Sequence, residues 1–415
     1  MLVPLAPPRT TSTRPLPGYD LPPVPPQGLR VILLRHGRSD LNDAGRYQGS
    51  SDQSRLTPRG QLASQQVGQY LRHCAIAHLY VSPLQRAQQT VQELLPQLTA
   101  TSPIPITTVE KLREIDLPAW EGLRYDDVKI RFPDAYRCWQ TAPEQFAMAP
   151  GLIDGLIDDL NSSPNDGQTD SSARPCPVQY PVRDLYQRAR DFWALTLPKH
   201  RGQTLLVVSH GGTIQALVNT ALGLPMARHH QMQQTHSGLT TLDFAAPALG
   251  AAQLKLLNLT TPIGEQLPKL KAGKQGLRLL LLPCQTGTEA DAALAELVQE
   301  QPITACMVED QPCCHLGQRV FLSQHSETVT LSVGQSNFLH HWQRSLMRSL
   351  QQASATELTT VAAVCHQGHA ESFLHQVMGY PLPLLPNTLS VLHYPSAALR
   401  PILQTLNSRP VSGQF

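Results

Sequence analysis

The chain has no apolar run near the ~20 residues that a membrane-spanning helix needs. Its longest, around Leu279–Leu282, is of strand length. It has almost no net charge: 33 Lys and Arg stand against 31 Asp and Glu, for +2. No global field is therefore available to gather nucleic acid or an anionic membrane. Paired cysteines at framework spacing are missing too. Cys74, Cys138, Cys176, Cys284, Cys306, Cys313, Cys314 and Cys365 are scattered, with no secretory signal ahead of them, and are expected to be reduced thiols. Cys313-Cys314-His315 has no second Cys or His pair at zinc-finger spacing, so a loop or strand end is expected there, and no metal.

Residues 1–27 hold nine prolines and little that could build a core, and are expected to form a flexible, polyproline-like tail. The tail carries Arg and Thr and few acids, so a transit peptide stays open. The expected location is the cytoplasm, or the plastid stroma if that tail is a transit peptide.

The 415 residues suit two domains. Arg30-Val31-Ile32-Leu33-Leu34 is continuously aliphatic, as a buried central strand should be. Thr57-Pro58 opens a helix, with Thr57 as N-cap and Pro58 at its first position. Strands are predicted at 75–81, 204–209 and 240–244, and helices at 84–94, 185–197 and 213–222. Alternation of this kind predicts an α/β protein, a three-layer α/β/α sandwich with a mostly parallel central sheet. Residues 145–180, rich in Gly, Ser, Asp and Pro, read as an inserted cap, and 260–276 as a linker between a domain at 28–259 and another at 277–415.

Histidine ends two of the apolar runs. Leu33-Leu34-Arg35-His36-Gly37 is the first, and Val207-Val208-Ser209-His210-Gly211 the second. A weaker echo stands at Val364-Cys365-His366-Gln367-Gly368. His210 lies thirteen residues before Gly223, and His366 thirteen before Gly379. Leu239–Phe244 matches Leu389–Tyr394, and Leu281-Leu282-Pro283-Cys284 faces Leu33-Leu34-Arg35-His36. Residues 277–415 thus read as a degenerate, shortened second copy of the same fold. No counterpart of Ser82-Pro83-Leu84-Gln85-Arg86 is evident in it, and His366 is expected to be a structural relic.

A phosphate ester is a dianion that needs fixed positive charge, and arginine offers a planar fork for its oxygens. A neutral imidazole can attack phosphorus and split hydrolysis into two transfers. Arg35-His36-Gly37 with Asn42, Gly45-Arg46-Tyr47-Gln48-Gly49, Leu56-Thr57-Pro58-Arg59-Gly60, Ser82-Pro83-Leu84-Gln85-Arg86-Ala87 and Ser209-His210-Gly211 occur in that order. Over about residues 30–245 the chain resembles the histidine phosphatase (phosphoglycerate mutase-like) superfamily. The resemblance implies that His36 is the phosphorylated nucleophile. It further implies that Arg35, Arg86 and His210 build the phosphate pocket, with Asn42, Gln48, Gly49 and Gly211 also binding substrate. It assigns the acid to Glu114, with Asp116 and Glu121 as alternatives, and it calls for neither metal nor cofactor. Arg46 is a candidate substrate contact, and Arg59 is expected to be a solvated helix residue.

The family's mutases carry an adjacent arginine pair after the acid, which 124–143 lacks. That favours a phosphatase, with Arg124, Arg137 and the 145–180 cap touching a small phosphorylated metabolite. A bisphosphoglycerate-dependent mutase is the alternative, and a phospholigand-binding regulatory protein a third reading. The two-copy layout is similar to the 2-carboxy-D-arabinitol-1-phosphatase group, which implies a sugar phosphate or a sugar-acid phosphate, such as 2-carboxy-D-arabinitol 1-phosphate, as substrate. A homodimer is left open.

Overall fold

The computed structural model describes residues 21–410 except 22, 23, 25, 100–101, 149–177, 251, 288–290, 353–355 and 397–398. Most of the Pro-rich tail and of the expected cap, with Cys176, therefore lies outside the described residues.

Twelve strands form one mixed sheet. In the first half they are β1 (Leu29–Arg35), β2 (Ile76–Val81), β3 (Ile106–Thr108), β4 (Thr204–Ser209), β5 (Leu239–Phe244) and β6 (Ala252–Leu259). In the second half they are β7 (Gly276–Cys284), β8 (Ala305–Glu309), β9 (Val329–Val333), β10 (Leu358–His366), β11 (Leu389–Tyr394) and β12 (Ile402–Ser408). The order is β3-β2-β4-β1-β5-β6-β12-β11-β7-β10-β8-β9. Read outward from the β6–β12 seam, the halves have the same order and the same directions. Parallel pairs join β1, β4, β2 and β3, as they join β7, β10, β8 and β9. Antiparallel pairs build β1-β5-β6 and β7-β11-β12, and the seam itself is antiparallel at Leu406 and Leu257. The expected second copy fits this arrangement. The mostly parallel character holds only away from the seam.

Each central strand alternates its side chains between two layers, as a pleated strand must. Val31 and Leu33 face one core together with Leu279 and Leu281, so a single apolar layer runs under both halves. The helices Pro181–Thr196, Gly211–Ala221, Phe338–Gln352 and Gln367–Met378 cover it. On the opposite face Ile32 and Leu34 pack with the helices Pro58–Tyr70 and Gln85–Leu94, and Leu280 and Leu282 with the helix Pro312–Phe321. Thr57 caps Pro58–Tyr70 as predicted, accepting from Gly60 N at 3.2 Å. Missed from the sequence were β3, β6, β8, β9 and β12 and the helices Tyr125–Arg131, Pro133–Thr141, Pro312–Phe321 and Phe338–Gln352, the Cys313-Cys314-His315 run lying in a helix and not in a loop or strand end. β3 is three exposed residues and β9 five mostly exposed ones, too little periodicity to read, whereas the eight-residue, largely buried β6 was overlooked.

Candidate active site

β1 and β4 are parallel neighbours and end at one edge. His36 N donates to Ser209 O at 2.9 Å, which sets His36 beside His210 with ring centroids 5.1 Å apart. Ser82 follows β2 at the same edge, its N donating to Val208 O at 3.0 Å. Arg86 is the second residue of the helix Gln85–Leu94. His210 is the N-cap of the helix Gly211–Ala221, so that helix's free amides open on the same spot.

His36 Nδ1 lies 2.7 Å from Gly37 O. A carbonyl only accepts, so Nδ1 carries the proton and Nε2 keeps its lone pair. Burial, and after it the charges of Arg86 and Arg35, hold the His36 pKa well below its ordinary value. The ring is therefore neutral at physiological pH. His210 Nε2 lies 2.7 Å from Ser82 Oγ, and its pKa is likewise lowered, first by burial. Arg86 is spanned between Ser51 O (2.7 Å) and Gly49 O (2.9 Å), and Arg35 Nη1 donates to Gln234 O at 2.8 Å. After these bonds, Arg35 Nε, Arg86 Nε and His210 Nδ1 are buried without a partner. Buried polar atoms are seldom left unpaired, and three of them around one histidine fit an absent anion.

Arg35, His36, Asn42, Gln48, Gly49, Arg86, Glu114 and Gly211 all line one pocket of about 290 Å³. That is near the lower end of small-ligand sites. Glu114 closes its far side. Its carboxylate accepts from Ile115 N (2.9 Å), Gly212 N (3.1 Å) and Thr213 N (3.1 Å), which fastens it to the helix N-terminus. Arg188 holds the acid's loop from behind, donating to Arg113 O (2.7 Å) and Glu114 O (3.1 Å). Gly49 needs its glycine, because φ is +50° and a Cβ would come within 2.4 Å of Glu121 Oε1.

Similarity to known proteins agrees with this geometry. Residues 31–259 match the model of the histidine phosphatase superfamily (branch 1). The chain belongs to the histidine phosphatase superfamily. It is 32% identical over 275 residues to the 2-carboxy-D-arabinitol-1-phosphatase of Triticum aestivum, and 31% over 268 to the probable 2-carboxy-D-arabinitol-1-phosphatase of Arabidopsis thaliana. These matches cover 65% and 64% of this chain, and the chain spans about half the length of both relatives, 49% of each. The probable phosphoglycerate mutase GpmB of Citrobacter koseri is 28% identical over 52% of this chain and 85% of its own length.

Within this member of the superfamily, several expected contacts go elsewhere. Asp116 accepts from Ser50 Oγ (2.7 Å), and Glu121 from Ser51 N (3.1 Å); neither lines the pocket. Arg137 pairs with Asp134 at 3.0 Å on the surface, and Arg124 does not line the pocket either. Arg46 does line it, its Nη1 donating to Gly122 O at 2.6 Å. Arg59 is exposed on its helix. The sequence reading missed Tyr47, Tyr125, Trp139, Gln215, His230 and Lys271 on the pocket wall. His230 lies 2.8 Å from Trp139 O, and its pKa falls to about 4, chiefly through burial. The His229-His230 doublet was the one available signal. Lys271 had none, since it sits in what reads as a linker.

The second half has a full set of positional equivalents. Arg35 pairs with Ser209 across β1 and β4, as Pro283 pairs with Cys365 across β7 and β10, and Cys284 with His366 follows in step. Val81 pairs with Val208 as Val308 pairs with Val364, so Glu309 stands where Ser82 does. The helix Pro312–Phe321 is as long as Gln85–Leu94, which puts Cys313 at the place of Arg86. A counterpart of Ser82–Arg86 therefore exists, Glu309–Cys313. It escaped the sequence because every side chain in it has changed. Glu309 is fully buried, accepts from His366 N (2.8 Å) and lies 3.0 Å from His369 Nδ1. The thiol of Cys284 packs on Gly317, where a Cβ would come within 2.7 Å of it. Among the described residues no group of three or more His, Cys, Asp or Glu is placed to hold a metal, so Cys313-Cys314-His315 gathers no further ligands. No helix among them is long and apolar enough to cross a membrane.

Proposed function

We propose that this chain hydrolyses a small phosphomonoester through a phosphohistidine on His36, without a metal. The observation that carries the reading is the ring of buried, unpartnered donors around a histidine whose attacking nitrogen is free. Arg35 Nε, Arg86 Nε and, with Ser82 donating to its Nε2, His210 Nδ1 would serve the three non-bridging oxygens of a phosphoryl group, although His210 itself does not line the pocket. His36 Nε2 attacks phosphorus, the bond to the ester oxygen breaks, and protonated Glu114 gives that oxygen its proton. Water then passes a proton back to Glu114 and attacks phosphorus. The P–N bond breaks, and phosphate and neutral His36 are released. The two relatives named for 2-carboxy-D-arabinitol 1-phosphate support a sugar-acid phosphate as substrate. The missing arginine pair in 124–143 weighs against the mutase.

The test is phosphate release by the purified chain in excess chelator, over a panel of sugar phosphates, sugar-acid phosphates, 3-phosphoglycerate and phosphoserine. Release that persists in chelator and drops by about 10⁴-fold or more in His36→Ala is expected. Isomerisation of 3-phosphoglycerate upon addition of bisphosphoglycerate, with no net release, would replace this reading by the mutase.

A further inference from the structure

We infer that the substrate carries a second anionic group besides its phosphoryl group, and that Lys271, supplied by the segment joining the two halves, binds it. This rests on the phosphomonoesterase reading and narrows its substrate class. Lys271 lies beyond residue 259, where the match to the family ends, yet it lines the same pocket as Arg35, His36 and Arg86. Its ammonium donates to Gln234 O, the carbonyl that also accepts from Arg35 Nη1. Two cations thus share one neutral acceptor. Among the described residues no carboxylate oxygen comes within ion-pair distance of the Lys271 ammonium. Arg35 and Lys271 repel each other across that carbonyl, and Glu114 offsets this only through space, without an ion pair to the lysine.

The phosphoryl group does not use it up. On the phosphomonoesterase reading, its three non-bridging oxygens are taken up by Arg35 Nε, Arg86 Nε and His210 Nδ1, each without a protein partner. Lys271 is additional to that set, and it shares the pocket wall with His230 and Gln215.

The position is built from both halves. Gln233 Nε2 of the first half donates to Lys269 O at 2.9 Å, and Arg278 Nη2 of the second donates to Pro268 O at 3.0 Å. The joining segment is clamped just ahead of Lys271, so the second half holds a binding residue of the first half's site.

The test uses the full chain and matched ester pairs: 6-phosphogluconate against glucose 6-phosphate, and 3-phosphoglycerate against glycerol 3-phosphate. A third pair, fructose 1,6-bisphosphate against fructose 6-phosphate, distinguishes a second phosphate from a carboxylate. The wild type is expected to favour the anionic member of at least one pair in kcat/KM. Lys271→Met should cut that preference by about 10- to 100-fold, mainly through KM, and Lys271→Arg should restore most of it. Lys274→Met, on the same segment but not on the pocket wall, should leave it unchanged. An equal loss on both members of every pair, or an unchanged preference, overturns the inference. If the wild type hydrolyses none of the esters, the phosphomonoesterase reading fails. Calorimetric titration of the same pairs into wild type and Lys271→Met then decides: a preference in Kd lost in the variant sustains the lysine's role, and equal affinities end it.

Discussion

The two halves of the molecule share a strand order, a register and a core layer, and differ at the edge where chemistry can occur. In the first half that edge presents Arg35, His36, Ser82, Arg86 and His210; in the second, the same positions hold Pro283, Cys284, Glu309, Cys313 and His366. Two arginines have become a proline and a cysteine, and a hydroxyl has become a buried carboxylate. A phosphate dianion would meet a negative charge where it needs donors, so the retained His366 has nothing to act on. The backbone kept what packing requires. Gly223 and Gly379 end equivalent helices at φ of 71° and 74°, and among the described residues the four non-glycine residues of positive φ form two pairs, Ser237 with Asn387 and Asn258 with Asn407.

The largest test of that contrast pairs His36 with Cys284. His36→Ala is expected to remove about 10⁴-fold or more of the phosphatase rate, while Cys284→Ala leaves kcat/KM within about twofold, because it touches only packing. Comparable losses in both would mean that the second half takes part in chemistry. Next come the two N-cap histidines. His210→Ala removes a donor from the phosphoryl site and should cost about 10²- to 10³-fold in kcat. His366→Ala loses only a cap bond to Gly368 N at 3.3 Å and should cost about 1 kcal/mol of stability with kcat unchanged.

The halves should also part company in acid. Burial holds His36, His210, His229, His230 and His236 of the first half below their ordinary pKa of 6.5, His230 at about 4. Below pH 6.5 the unfolded chain takes up protons at these rings and the folded chain does not. Stability therefore falls as the pH drops through 6.5, and for His230 the loss levels off only near pH 4. Each ring contributes at most ~1.4 kcal/mol per pH unit in that window. Urea midpoints between pH 7.5 and 5 should fall accordingly, and hydrogen exchange should rise in β1 and β4 before β7 and β10. Exchange rising first in the second half would contradict this assignment.

How far the sequence could be read follows the same physics. Strong signals were local: aliphatic runs for β1 and β4, a Thr-Pro helix start, and motif residues whose spacing brings them to one edge. The repeat was visible through its glycines and β5-like strands. Three features were not legible. The Ser82–Arg86 counterpart had lost every side chain that marks it. Asp116, Glu121, Arg124 and Arg137 had the right chemistry, but their direction depends on loop geometry that no period encodes. Lys271 reaches the pocket only because two halves clamp its segment, which is a tertiary fact.

The last effects touch stability alone and lie at the seam, where the halves are most alike. Asn258 Nδ2 donates to Gln404 O (2.7 Å), and Asn407 Nδ2 donates to Lys255 O (2.9 Å), a reciprocal pair across β6 and β12. Each side chain also accepts from a loop amide, Asn258 from Thr235 N (2.7 Å) and Asn407 from Leu385 N (3.0 Å). Both residues adopt the left-handed conformation, at φ of 53° and 56°. Glycine keeps that backbone and removes only the side-chain bonds. Asn258→Gly and Asn407→Gly should each cost about 1–3 kcal/mol, read as a shift in urea midpoint. Asn407 should cost more, because its Nδ2 also reaches Pro383 O at 3.0 Å. The double variant should fall short of the sum, since both bonds close one seam and the first loss already loosens it. Strict additivity would mean that each asparagine stabilises its own half alone, and that the β6–β12 junction is held by the apolar layer beneath it.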